Sequence, residues 1–365
     1  MKRDTLNSLE RLTIELRELY QSYGYSQFKV GKFEEYDLYA RNKNFLMSEQ
    51  VLTFGDGSGK LLALKPDVTL SVVKNAPDDG RTNKVCYTET VYRVPKHDRG
   101  FREITQTGLE CIGRVDAFAR AEVLALAAKS LAMISERYIL NVSDIGVISG
   151  VLAEEPIGDS DCAKLLAAVG DKNLHEISAL CGSIGVSAET ENLLRSLVST
   201  SGPLLETLAF VENMNLPQGC RNALEELKTI GKMLSLYGAA HVHLDFSVVN
   251  DMDYYNGLVF RGFIEGVPSG VLAGGRYDNL LARMGRGGEA IGFAVYVDEL
   301  ARFLEKKPSF DVDALIVYDD ETDTAELIRK AETLRRKGLR VRTMREGESD
   351  QTGREIYRLN RRSGR

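Results

Sequence analysis

Residues 85–113 read VCYTETVYRVPKHDRGFREITQTGLECIG, and the pattern in this stretch decides the fold. Residues 85–93 and 101–112 alternate in polarity and are rich in β-formers, which marks two antiparallel strands joined by VPKHDRG. On the second strand Arg102, Ile104, Gln106, Gly108 and Glu110 share one face, because successive side chains point to opposite sides of a pleated strand. Gln106 and Glu110 then stand about 13 Å apart along the strand, with Gly108 bare between them. An amide and a carboxylate flanking a missing side chain make a floor on which a small polar ligand can lie. The same spacing describes a solvated strand face with an incidental glycine, and geometry alone leaves both open.

Working outward, Leu6, Leu9, Leu12, Leu16 and Leu19 recur at spacings of three and four and predict an amphipathic helix that stops near Gly24. VLTFGDGSGKLLALKPD (51–67) reads as two short strands around a glycine turn. On the other side, AFARAEVLALAAKSLAMI predicts a helix over 116–140, and residues 143–237 read as mostly helical with Gly and Ser breaks and no visible chemistry. Strands are expected at 241–249, 257–264 and 269–275, then AIGFAVYV leading into the helix DELARFLEKK. After a polar break at Pro308 and Ser309 come strand DALIVY, helix TAELIRKAETLRRK with Gly338 placed to cap it, and strand LRVRTM. The basic tail QTGREIYRLNRRSGR is expected to fray. Hairpins with segregated helices argue for an α+β fold rather than a doubly wound sheet. The expected division is a core over 1–305, with a helical insertion at about 150–238, and a small second unit over 311–365.

Composition narrows the function. The 365 residues, 43% hydrophobic, suffice for one large core and a small second domain. Lys+Arg 47 against Asp+Glu 53 gives a net charge of −6, which argues against a dedicated nucleic-acid binder. Cysteines 86, 111, 162, 181 and 220 are scattered and odd in number, as expected of reduced thiols in the cytoplasm. The opening MKRDTLNSLERL has no apolar signal core, and no run reaches the ~18 apolar residues of a membrane span. GDGSGK (55–60) fails as a phosphate loop, since Phe54 stands at its first position and Leu61 follows Lys60, and it reads as a hairpin turn. His241-x-His243 has no third ligand in view, so no metal is expected.

Two further pieces can join Gln106 and Glu110. Asp253-Tyr254-Tyr255-Asn256-Gly257 enters a strand, and its tyrosines offer ring surface and hydroxyls, or are core aromatics. GVLAGGRYDNLL (270–281) carries small residues that admit a ligand or a neighbouring strand. At this point LKPDVT (64–69), VYRVPKHDRGFREITQTGLECIG (91–113), DYYNG (253–257), AGGRYDNLL (273–281) and IGFAVYVDEL (291–300) resemble, in order, the motifs of histidyl-tRNA synthetases. They are similar to that family's arginine-proline-glutamate-glycine-threonine segment, class II motif 2, histidine-specific tyrosine segment and motif 3. The resemblance spans most of residues 1–305 and implies a class II synthetase-like antiparallel sheet flanked by helices, with a truncated C-terminal α/β unit. It also implies a histidine pocket, in which Asp67, Thr69 and Gln106 hold the α-amino end, Glu110 accepts from the imidazole, and Tyr254 and Tyr255 line the ring.

The departures from that family fall on its ATP side. Its Arg-Gly-Leu-Asp-Tyr-Tyr becomes Asn250-Asp251-Met252-Asp253-Tyr254-Tyr255, its motif 3 arginine becomes Glu299, and its Tyr-Arg-His-Glu becomes Tyr92-Arg93-Val94-Pro95. Reacting phosphates need surrounding cations, and two are lost, one by reversal. Arg93 and Arg102 remain, as contacts for an anion or partner or as members of ion pairs. A chain that keeps the histidine side and drops adenylation resembles the regulatory subunits of short-form ATP phosphoribosyltransferase. That resemblance implies no catalytic residue or cofactor of its own, and a short catalytic subunit as partner. It further implies L-histidine as effector, and a homodimer, through the N-terminal helix and motif 1 strands, within a hetero-octamer. The alternatives are another histidine or tRNA sensor of the same descent, or a working synthetase.

Overall fold

Asn7 starts the first helix, Ser8–Ser22, through a reciprocal capping box with Glu10. Leu12, Leu16 and Tyr20 of this helix are buried in the chain's own core. The stripe expected to serve a dimer contact is thus largely used internally, with Leu9 and Leu19 half-buried at its rim. Gly24, at φ +83°, follows the helix in the left-handed conformation that favours glycine. The computed structural model describes residues 6–46, 51–94, 100–249, 255–304, 310–348 and 352–359. They fall into two units, Met1–Leu304 and Glu305–Arg365.

The strands of the first unit are β1 (Ser26–Gln27), β2 (Phe33–Glu35), β3 (Thr53–Gly55), β4 (Leu61–Leu64), β5 (Asn83–Arg93) and β6 (Arg102–Gly113), then β7 (Tyr138–Asp144), β8 (Ser201–Pro203), β9 (Val242–Asp245), β10 (Leu258–Ile264), β11 (Leu272–Arg276) and β12 (Glu289–Tyr296). Nine of them form one sheet in the order β1-β5-β6-β12-β11-β10-β7-β9-β8. Its middle is antiparallel, while β1 joins β5 and β9 joins β7 in parallel. β2, β4 and β3 make a separate small antiparallel sheet. The turn between β3 and β4 is the one expected at GDGSGK: Asp56 Oδ1 accepts from the backbone of Ser58 and Lys60, and Gly59 sits at φ +87°.

The long helix runs Ala117–Ile134, shorter than the expected 116–140, and its apolar residues are buried nearly all round. The chain then enters β7, a strand the sequence reading missed. Tyr138–Asp144 alternates partly exposed with buried residues and pairs along its whole length with β10. The expected helical insertion contains the helices Asp159–Gly170, Leu174–Ile184, Ala188–Ser199, Leu204–Val211 and Arg221–Leu236. Leu165, Ile177, Leu194 and Leu227 join the same core cluster as Val142 and Phe260 of the sheet. The insertion also supplies β8, the edge strand opposite β1.

The second unit is a parallel sheet, β14-β13-β15, of β13 (Val312–Tyr318), β14 (Val341–Arg345) and β15 (Gly353–Leu359). Helix Thr324–Arg336 packs Ala331 and Leu334 on Ala314 and Ile316 of β13. Gly338 follows that helix at φ +84°, as its expected stop. The tail corrects one expectation: instead of fraying, residues 353–359 pair with β13 from Gly353 to Leu359.

Candidate functional site

The site grows from the register of three strands. β12 runs antiparallel to β6 with Gly292 opposite Glu110, Ala294 opposite Gly108 and Tyr296 opposite Gln106. β5 places Tyr87 opposite Gly108. A cavity opens above this patch. Its lining includes Asp67, Thr69, Arg93, Gln106, Glu110 and Tyr255, so the structure gathers six of the residues singled out above. Tyr254, Asp253 and Asn250 lie outside the described residues. Arg102 is exposed on β6 and does not line the cavity.

Glu110 is 2% exposed and anchors the inner end. Thr69 Oγ1 donates to its Oε1 at 2.8 Å, Tyr277 Oη donates to its Oε2 at 2.6 Å, and Tyr87 Oη reaches Oε1 at 3.4 Å. Burial pushes the carboxyl up to about 8, against the pull of the Tyr277 and Thr69 hydroxyls. Gly292 makes the space for it, since a Cβ there would overlap Oε2 and come within 2.5 Å of the Leu109 carbonyl oxygen. Gly108 has a different reason than the open floor expected. A Cβ there would meet the Phe293 carbonyl and lie 2.7 Å from Tyr87 Oη, so the glycine makes room for the tyrosine that reaches Glu110. Gly275 likewise clears the Tyr255 ring, whose Cδ1 would lie 2.7 Å from an added Cβ.

The segment LKPDVT supplies a second charged part of the lining. Asp67 Oδ1 accepts from the backbone N–H of Leu70, tying the carboxylate to the start of helix Thr69–Asn75. Its Oδ2 stands 3.6 Å from the Arg93 guanidinium, whose Nε donates to the Pro66 carbonyl at 2.6 Å. Burial raises the Asp67 carboxyl, and Arg93 works against that shift. Arg93 is 7% exposed and forms its ion pair with Asp67 within the cavity lining. Among the described residues lining the cavity it is the one cation. Thr69, expected with Asp67, spends its hydroxyl hydrogen on Glu110 and keeps its lone pairs as acceptors.

Sequence reasoning assigned no role to Tyr87, Tyr277, Gly292 or Tyr296, all of which line the cavity. Period two on β5 puts Tyr87 on the face of Arg93, and Tyr277, Gly292 and Tyr296 stand inside stretches already picked out, so the signal was present. Glu299, the reversed charge, is exposed and accepts from Ser269 Oγ at 2.6 Å, outside the lining. Among the described residues no group of three or more His, Cys, Asp or Glu is placed to hold a metal ion, and no helix is long and apolar enough to cross a membrane. His241 packs edge-on against Tyr138.

The family model for histidyl-tRNA synthetase matches residues 2–300. The chain is 29% identical over 336 residues to the ATP phosphoribosyltransferase regulatory subunit of Clostridium kluyveri, covering 89% of this chain and 86% of the relative. It is 30% identical over 334 residues to the protein of the same name from Caldanaerobacter subterraneus subsp. tengcongensis, covering 88% and 86%. Among solved structures it matches an ATP phosphoribosyltransferase regulatory subunit/histidyl-tRNA synthetase from Bacillus halodurans with a TM-score of 0.80 at 24% identity, over 96% of this chain and 94% of that one, which shows the shared fold. With regulatory subunits matching nearly nine-tenths of its length and the synthetase model matching its first unit, the chain belongs to the family of ATP phosphoribosyltransferase regulatory subunits, built on the histidyl-tRNA synthetase fold.

Proposed function

We propose that this chain is the histidine-sensing subunit of a cytoplasmic ATP phosphoribosyltransferase that acts at the first step of histidine biosynthesis, and that L-histidine binds in the Glu110 cavity. The observation that carries the reading is the combination of two groups in one lining. One is a buried carboxyl ringed by the hydroxyls of Thr69, Tyr277 and Tyr87. The other is a carboxylate and a guanidinium 3.6 Å apart. An α-amino acid carries its ammonium and carboxylate on one carbon, so the groups that bind them must be neighbours, as Asp67 and Arg93 are. Asp67, with Gln106 and the lone pairs of Thr69, would take the ammonium, and Arg93 the carboxylate. Glu110 would accept from the imidazole N–H, with Tyr255 against the ring.

The same chain would pair as a homodimer with a short-form catalytic subunit in a hetero-octamer. Histidine would inhibit by binding one quaternary state better and shifting the population toward it. The test mixes this chain with a short ATP phosphoribosyltransferase catalytic chain and follows phosphoribosyl-ATP formation. Activity that requires this chain and falls with histidine supports the proposal. Absence of a complex and of any effect on activity would sink the assigned partner.

A further inference from the structure

β12 sends Gly292, Ala294 and Tyr296 to the cavity side. Their partners on β6 are Glu110, Gly108 and Gln106, so the floor runs small, small, large from the inner end outward. After Tyr296 the strand ends in the turn Val297–Leu300. That turn is pinned in two places. Thr105 N donates to Asp298 Oδ2 at 2.6 Å, and Ser269 Oγ donates to Glu299 Oε2 at 2.6 Å. The tyrosine therefore stands on backbone with little freedom to retreat.

We infer that Tyr296 sets the length of the cavity and restricts it to a free amino acid, excluding the same amino acid extended at its carboxylate. The inference rests on the histidine reading. With the imidazole at Glu110 and the ammonium at Gln106, the α-carbon and the carboxylate it carries lie at the outer end of this floor, where Tyr296 stands opposite Gln106. A group joined to that carboxylate runs into the ring. Size, and not only the lost cations, then bars an activated acyl form of the ligand, and the pocket reports the free metabolite alone.

The test uses calorimetric titration of the full chain with L-histidine, L-histidine methyl ester and L-histidine benzyl ester. Both esters lack the carboxylate charge, so the difference between them reads size. Wild type binds histidine and takes the benzyl ester about 30-fold more weakly than the methyl ester, the cost of forcing bulk into a packed wall. Tyr296→Ala removes most of that discrimination, and Tyr296→Phe keeps it. Wild type binding the two esters equally overturns the inference without any variant. Unchanged discrimination in a folded Tyr296→Ala chain overturns it as well. Wild type binding no histidine overturns the histidine reading itself, and the inference falls with it. Histidine binding without ester discrimination sinks the inference alone.

Discussion

Replacing Gly292 by alanine adds one methyl group at the most crowded point of the pocket. The new Cβ overlaps Glu110 Oε2 and lies 2.6 Å from its Cδ and 2.5 Å from the Leu109 carbonyl oxygen. The carboxylate can swing, but Leu109 is backbone of the paired strand and yields only by shifting β6 against β12. Overpacking of this kind costs about 1–3 kcal/mol. Glu110 also leaves Tyr277 and Thr69, the donors now at 2.6 and 2.8 Å. A hydrogen bond to a neutral carboxyl is worth about 0.5–1.5 kcal/mol, so losing the imidazole's acceptor weakens histidine by roughly 2- to 13-fold. Calorimetric titration measures that loss, and thermal unfolding of the same sample reports a drop of a few degrees. A Gly292→Ala chain that binds histidine as tightly as wild type would refute both the placement of Glu110 and its role.

Two more predictions follow from buried charge. Burial lifts the Glu110 carboxyl from 4.5 to about 8, so the folded chain holds a proton that the unfolded chain releases. Its contribution to stability is full below the unfolded value and is lost as pH rises through the folded one, a change on the order of a few kcal/mol. Urea unfolding across that window should therefore fall less steeply in Glu110→Gln than in wild type, and equal slopes would count against it. Lys65 is 1% exposed, and its ammonium lies 2.5 Å from Glu89 Oε2, joining the LKPDVT segment to β5. Lys65→Met strands Glu89 and costs about 3–5 kcal/mol, whereas replacing both partners with apolar residues costs less. Chemical denaturation of the single and double variants checks this, and a double variant no more stable than the single one would refute it.

Much of the site was legible from residues 85–113, because period two alone puts Gln106 and Glu110 on one face. Tyr87 and Arg93 share a face of the neighbouring strand by the same rule, yet their meeting with Glu110 and Asp67 depends on register and on the path of LKPDVT. Neither is local information. Gly108 shows the limit most clearly: a missing side chain says that something comes close, and here that is the Tyr87 hydroxyl. β7 was hidden because the helix before it stops at Ser135, without a glycine or proline to mark the end. β15 was hidden because its exposed, charged residues look like a solvated tail, and its pairing with β13 spans some forty residues.

On the proposed reading, histidine acts on the complex through the Glu110 cavity. The most direct measurement is histidine inhibition of the reconstituted transferase carrying Glu110→Ala or Tyr255→Ala in this subunit. Both variants are expected to support phosphoribosyl-ATP formation that histidine no longer suppresses. Undiminished inhibition, in variants that assemble normally, would place the effector elsewhere and contradict the claim.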